Sequence, residues 1–186
     1  MGKMIYVTGG ARSGKSHHAQ MLAQEYSDVA YVATAINTDA EMQQRIKKHI
    51  QDRPSNWKTY ECAYDMTQVL SQNKHKVVLI DCMTVYVTNL IFKNKQNWDN
   101  IEVLASAEAQ KIEQDVLHNV ERVLDIIKNT QGDFILVSNE VGMGIVPEYP
   151  LGRLFRDIAG RVNRMIAEAA NVAYFVVSGI PIKIKE

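Results

Sequence analysis

Eight consecutive residues, Gly9-Gly10-Ala11-Arg12-Ser13-Gly14-Lys15-Ser16, carry the densest chemistry in the chain. Gly9, four intervening residues, Gly14, Lys15 and Ser16 fit the pattern of a phosphate-binding loop between a strand and a helix. Glycines let such a backbone curl until its N–H groups face phosphate oxygens, and the following helix adds the positive end of its dipole. Lys15 is then expected to reach the outer phosphates of a nucleotide, and the Ser16 hydroxyl to ligate Mg²⁺. Val77-Val78-Leu79-Ile80-Asp81 resembles the companion strand of such sites, ending in an acid, Asp81, that holds Mg²⁺ directly or through water. A strand ending in Asp is common, so this second motif takes its weight from the first.

Other candidates lie outside these motifs. His17 and His18 follow the loop and could touch substrate, but a position on a helix surface is the plainer reading of both. His75 and His118 stand among charged residues without metal-ligand spacing, and no cluster resembles a zinc site. Arg153, Arg156 and Arg164 fall opposite an apolar helix stripe. They read either as a solvated face or as arginines reaching phosphate on a neighbouring subunit. Glu140, after Asn139 at a strand end, could position a water, a metal or a substrate hydroxyl. Gly142 and Gly144 would let that loop approach a ligand closely.

The elements that must position these groups are legible as short apolar runs alternating with helical patterns. The runs are Met4–Thr8, Val29–Ala33, Val77–Cys82, Phe134–Ser138 and Val172–Ser178. Each is nearly continuous rather than alternating, as strands covered on both faces are. Helical spacing recurs over Lys15–Tyr26, Asp39–Gln51, roughly Ile101–Lys128 and Leu151–Ala170. The second of these places Met42, Ile46, His49 and Ile50 on one stripe. The expected fold is a single-domain α/β structure over residues 1–186, a doubly wound and mostly parallel sheet of the phosphate-loop type flanked by helices. Two loops stand out, Asp52–Glu61 and Asn139–Pro150, because function concentrates on loops held by a rigid scaffold.

Composition narrows the partners. Lys plus Arg equals Asp plus Glu at 21 each, which gives no reason to expect nucleic acid or an anionic membrane as partner. Apolar residues make up 46% of the chain, enough for one core. Cys62 and Cys82 form no CxxC pair and read as free thiols of a reducing compartment. The apolar run Met4–Val7 is too short for a signal peptide or a membrane span, so a cytoplasmic location is expected.

A phosphate loop does not separate a kinase from an ATPase, a GTPase or a switch. The rest of the chain resembles the bifunctional cobinamide kinase / cobinamide-phosphate guanylyltransferase family of cobalamin biosynthesis. The likeness rests on Gly9–Ser16, Ala33-Thr34-Ala35, Glu41–Pro54, Asp81–Leu90 with Thr84, Thr88 and Asn89, and Ser138-Asn139-Glu140-Val141-Gly142 through Pro147. It continues through Gly152–Asp157, Gly160 and Asn163 to Ser178-Gly179-Ile180-Pro181, nearly the full length.

The resemblance implies two reactions. A nucleoside triphosphate, ATP or GTP, phosphorylates the aminopropanol hydroxyl of adenosylcobinamide. GMP from GTP is then carried on a histidine and passed to adenosylcobinamide phosphate, giving adenosylcobinamide-GDP. By position that histidine is His49. Nucleotide contacts map to Gly9, Gly10, Ala11, Arg12, Ser13, Gly14, Lys15 and Ser16, to Ala33, Thr34 and Ala35, to Ile50, Gln51, Asp52 and Arg53, and to Glu61 and Asp81. A homotrimer is implied as well. Lys48 stands where some relatives carry a second histidine, which leaves one candidate nucleophile but sets a cation beside it.

Chemically, a neutral imidazole can attack the α-phosphorus, and the phosphoramidate formed is labile enough to pass GMP on. Lys48 and Arg45 favour that neutral form. The competing reading keeps His49, on its apolar stripe, as a core or interface histidine. Trp57 and Trp98 could pack on a corrin or a base, or anchor core and loops. Two other functions stay open: a small-molecule kinase without a covalent intermediate, and a nucleotide-driven regulatory module.

Overall fold

The structure is a computed structural model that describes residues 2–37, 39–51, 53–93 and 106–186, without the side chains of Glu41, Arg45 and Lys48. Asp52, Trp98 and the expected helix start at 101–105 lie outside the described residues. The strands are β1 (Met4–Gly9), β2 (Val29–Ala33), β3 (Lys58–Glu61), β4 (Val77–Asp81), β5 (Asp133–Asn139), β6 (Val172–Val177) and β7 (Ile180–Lys185). The helices are α1 (Lys15–Gln24), α2 (Ala40–Gln51), α3 (Thr67–Ser71), α4 (Met83–Phe92), α5 (Ser106–Asn129) and α6 (Pro150–Ala169).

The seven strands form one sheet in the order β3-β2-β4-β5-β1-β6-β7. Pairing is parallel from β3 to β6, and β7 returns antiparallel on β6. The central strands are apolar on both faces because both faces are covered. Ile5, Val7, Tyr31, Leu79, Ile135 and Val137 pack with α1 residues Ala19 and Ala23. On the opposite face Tyr6, Val32, Ile80, Phe134 and Leu136 pack with residues of α4, α5 and α6, among them Tyr86, Val123 and Ile166.

The expected doubly wound α/β fold and its five core strands are present. Besides the short helix α3, which no expected segment covers, three elements depart from the expectation. Lys58–Glu61, taken above as part of a loop, is the edge strand β3, too short and too exposed to carry an apolar run. Ile180–Lys185 is a second edge strand, where isoleucine alternates with Pro181 and lysine. The third is α4, a helix of Met83-Thr84-Val85-Tyr86-Val87-Thr88-Asn89-Leu90-Ile91-Phe92, in which β-branched residues are frequent. Those residues lower helix propensity, and burial of Met83, Tyr86, Val87 and Ile91 overrides that cost.

Leu79 sits fully buried in the centre of β4, so truncation leaves a cavity that the covering helix cannot close. Leu79→Ala is expected to cost about 2–5 kcal/mol, read as a lower denaturant midpoint at unchanged slope.

Candidate active site at the ends of the parallel strands

The Gly9–Ser16 loop leaves β1 and enters α1 by way of Gly14, whose φ of 94° lies in the left-handed region that suits glycine. Gly9 is fixed by space instead, because a Cβ there would stand 2.4 Å from Val176 O. The loop is tied inward by Ser13 N donating to Gly10 O (3.3 Å), and to the β6–β7 turn by Gly179 N donating to Ser13 O (2.8 Å). Lys15 is only 8% exposed and folds back to donate Nζ–H to Gly10 O at 3.0 Å. Burial pulls its ammonium below the ordinary lysine value, and the neighbouring Asp81 carboxylate opposes that pull.

Asp81 ends β4 beside the loop. Its Oδ1 accepts from the Ser16 hydroxyl at 3.4 Å, and its Oδ2 accepts from the Tyr31 hydroxyl at 3.0 Å. Burial, followed by the Asp81 charge, drives the Tyr31 phenol far above its ordinary value, so it remains a donor. Ser16 and Asp81 therefore offer two adjacent hard oxygens. That donor set suits Mg²⁺, which takes one or two protein oxygens and completes its shell with phosphate oxygens and water.

The face of Tyr31 carries the guanidinium of Arg53, whose Cζ lies 3.6 Å from the ring centroid. Arg53 also donates Nε–H to the main-chain carbonyl of His49 at 2.6 Å. A continuous path thus runs from Asp81 through Tyr31 and Arg53 to the end of α2. The path holds the His49 backbone near the acid while leaving its ring free.

These groups border one cavity of about 1220 Å³. Of the residues expected from sequence, Ala11, Arg12, Ser13, Gly14, Lys15 and Ser16 line it, and so do Ala33, Thr34 and Ala35. His49, Ile50, Arg53, Glu61 and Asp81 line it as well. Gly9, Gly10 and Gln51 are not among the residues that line it. Met42 and Ile46 also face the cavity, and His49 itself is exposed, so the stripe of α2 borders the cavity and His49 is not a core histidine. Tyr31, Cys82, Gln20 and Asn139 line it too. No sequence signal marked Tyr31, which reads as an ordinary strand aromatic.

Behind the lining, α4 supplies polar braces. The Asn89 carboxamide donates to Thr34 O (2.8 Å) and Ala63 O (3.0 Å), fastening the chain after β2 and after β3 to one side chain. The Thr34 hydroxyl donates to Cys82 O and accepts from Cys82 N, both at 2.9 Å.

The remaining candidates have local partners. His17 lines the cavity, whereas His18 packs edge-on to Tyr174 with centroids 4.8 Å apart. His75 joins Asp28 and Tyr60, and His118 faces Glu121. Arg153 donates to Pro147 O and Glu148 O, Arg156 pairs with Asp157 and Arg164 with Glu168. Glu140 turns back to accept from Gly142 N at 2.6 Å. Trp57 is buried and stacked on Tyr31, an anchor of the core.

The Gly9–Ser16 loop, Asp81 and the exposed His49 thus gather at one cavity. The sequence profile described as cobinamide kinase / cobinamide phosphate guanyltransferase matches residues 5–184. The chain belongs to that family. Within the cobinamide kinase / guanyltransferase family it is 44% identical to the bifunctional adenosylcobalamin biosynthesis protein CobU of Escherichia coli, over 98% of this chain and 99% of that one. It is 40% identical to CobU of Salmonella typhimurium over the same shares. Identity to the Pseudomonas aeruginosa protein CobP is 35%, over 96% of this chain and 95% of that one. Among the described residues no helix is long and apolar enough to cross a membrane.

Burial pushes the Cys82 thiol up to about 12, and the Asp81 carboxylate adds to the shift. Relative to a free thiol near 8.5, that lowers the thiolate fraction at pH 8 by roughly a thousandfold. Cys82 is therefore expected to resist alkylation at pH 8 in the folded protein and to react once unfolded, as mass spectrometry of iodoacetamide-treated samples would record.

Proposed function

We propose that this protein phosphorylates adenosylcobinamide and then transfers GMP to the product, with His49 as the covalent carrier. The observation that carries the reading is the placement of His49 on the wall of the cavity that also holds Lys15, Ser16 and Asp81. Family membership supports the substrate class, since the family profile and the relatives' names refer to cobinamide and to adenosylcobalamin biosynthesis. Residence in the cytoplasm, expected from the cysteine usage, and assembly as a homotrimer, implied by the family resemblance, belong to the same reading.

In the first reaction the substrate hydroxyl oxygen attacks the γ-phosphorus of ATP or GTP. The bond to the β-bridging oxygen breaks, the nucleoside diphosphate leaves and the hydroxyl proton passes to solvent or a carboxylate. The protein's work here is positioning and charge neutralisation, by the loop N–H groups, the N-terminus of α1 and Lys15. Ser16 and Asp81 would hold Mg²⁺ together with the phosphates, and the ion supplies charge neutralisation on the phosphoryl oxygens.

In the second reaction an imidazole nitrogen of His49 attacks the α-phosphorus of GTP, and pyrophosphate leaves. A phosphate oxygen of adenosylcobinamide phosphate then attacks the same phosphorus. The P–N bond breaks, a new P–O–P link forms, and adenosylcobinamide-GDP is released with His49 restored. Two displacements let one nucleotide cavity serve two acceptors.

Incubation with Mg²⁺ and α-labelled GTP is expected to leave acid-labile label on the denatured wild-type protein, with none from γ-labelled GTP. His49→Ala loses the α-label and keeps γ-transfer to cobinamide, whereas Lys15→Ala lowers both by roughly a hundredfold or more. Absence of α-label on a protein that binds GTP would remove the transferase half and leave a kinase without a covalent intermediate.

A further inference from the structure

Asn139 ends β5, the strand that separates β1 with its loop from β4 with its acid. Its register partner on β1 is Gly9, and Asp81 pairs with Val137 two residues earlier. Val137 packs on the α1 side of the sheet, and pleat alternation returns Asn139 to that side, where it lines the cavity. The next residue donates its N–H to Gly9 O at 3.0 Å, which fixes the strand end against the start of the loop.

The main chain of Asn139 is held on both sides by a closed ring of hydrogen bonds. Its N–H donates to the Thr84 hydroxyl at 2.5 Å, and that hydroxyl meets Ser138 Oγ at 3.0 Å. Ser138 Oγ donates to Asn163 Oδ1 at 2.6 Å, and Asn163 Nδ2 donates to Asn139 O at 2.9 Å. Since the Ser138 proton is committed to Asn163, the proton between the two hydroxyls belongs to Thr84, and each hydrogen bond of the ring has a defined donor. Thr84, Ser138 and Asn163 are all buried, where an incomplete ring would be costly. The ring consumes only main-chain groups of Asn139. Its own carboxamide makes no hydrogen bond to the described residues, and Asn139 lines the cavity at the end of the strand that separates the Gly9–Ser16 loop's strand from that of Asp81.

We propose that the Asn139 carboxamide donates to the terminal phosphoryl group of a bound nucleoside triphosphate, making Asn139 the residue that tells triphosphate from diphosphate, with Thr84, Ser138 and Asn163 as its positioning residues. The inference rests on the nucleotide site proposed above and names a contact within it. A group standing between the loop that cradles phosphates and the acid suited to Mg²⁺ meets the outermost phosphate. A neutral amide can bond that oxygen while Lys15 supplies the charge. The contact exists only while the terminal phosphate is present, so it adds affinity for a triphosphate and none for a diphosphate.

Calorimetric titration of the full-length protein with GTP and with GDP, both with Mg²⁺, tests this directly. Asn139→Ala is expected to bind GTP roughly tenfold or more weakly while GDP affinity stays within about twofold of wild type. Its unfolding midpoint should stay near wild type, because the ring does not use the side chain. Should the alanine variant fail to fold, Asn139→Ser provides the same comparison. Asn163→Ala, which opens the ring, should lose part of the same GTP-over-GDP preference, a ratio that general destabilisation would leave unchanged. Equal weakening of GTP and GDP in Asn139→Ala, or no weakening of either, overturns the inference while leaving the nucleotide site intact. A wild-type protein that binds neither nucleotide overturns the site reading and this inference with it.

Discussion

Where parallel strands end side by side, their last carbonyls and amides lose their ladder partners, and the groups that replace those partners decide where every loop stands. A main-chain group buried without a partner costs as much as a lost hydrogen bond, so the replacements are obligatory. Here they come from a few buried polar side chains. Asn89 takes the carbonyls of Thr34 and Ala63, and the Thr34 hydroxyl pairs with both main-chain groups of Cys82. Thr84 and Asn163 take the amide and carbonyl of Asn139. Helix α4 thus contributes to the loops after β2, β3 and β5 at once, and the cavity keeps its shape through one element packed behind it.

The electrostatics follow from the same layout. Lys15 and Asp81 are held near each other by separate elements, and neither needs the other as a salt-bridge partner. Lys15 rests on Gly10 O, and Asp81 is satisfied by the hydroxyls of Tyr31 and Ser16. Hydroxyl donors bring no opposing charge to the acid, and a lysine parked on a carbonyl gives up little when an anion arrives. Arg53, stacked on Tyr31, sets a second cation on the wall nearest His49. A protein balanced at 21 charges of each sign can therefore present a cationic cavity through a handful of aimed groups.

Much of this arrangement was legible in the sequence, and the boundary of legibility is physical. Buried central strands announce themselves as apolar runs, and the Gly9–Ser16 pattern is a local device whose spacing is its geometry. Edge strands such as Lys58–Glu61 lack that mark because most of their side chains meet water. The α4 segment reads ambiguously because β-branched residues give no helical period when every side is covered. Tyr31 and Asn139 belong to the site through tertiary juxtaposition, Tyr31 by reaching Asp81 across neighbouring strands and Asn139 by the pleat of β5. The Ser138–Pro147 segment and the Asn139–Pro150 loop marked the neighbourhood of Asn139, but no local pattern encodes the placing of either side chain. The helix spacing of Met42, Ile46 and His49 was visible, but whether that stripe faced a core or a cavity depended on what the sheet placed opposite.

The strand order also has a consequence for how the protein comes into being. β1 leads into the Gly9–Ser16 loop and is made before the other strands, yet both its neighbours, β5 and β6, lie far along the chain, with Met4 opposite Phe134 and Ile5 opposite Val172. At ribosomal rates of about 5–20 residues per second, the first strand waits on the order of ten seconds before its first partner is made. Until then its apolar run is an unpaired template open to other chains, and loop closure over so long a span makes its docking slow. The nascent Gly9–Ser16 loop is thus among the last parts of the molecule to acquire its shape, and the interval before then is when the chain is most exposed to chaperones and to aggregation.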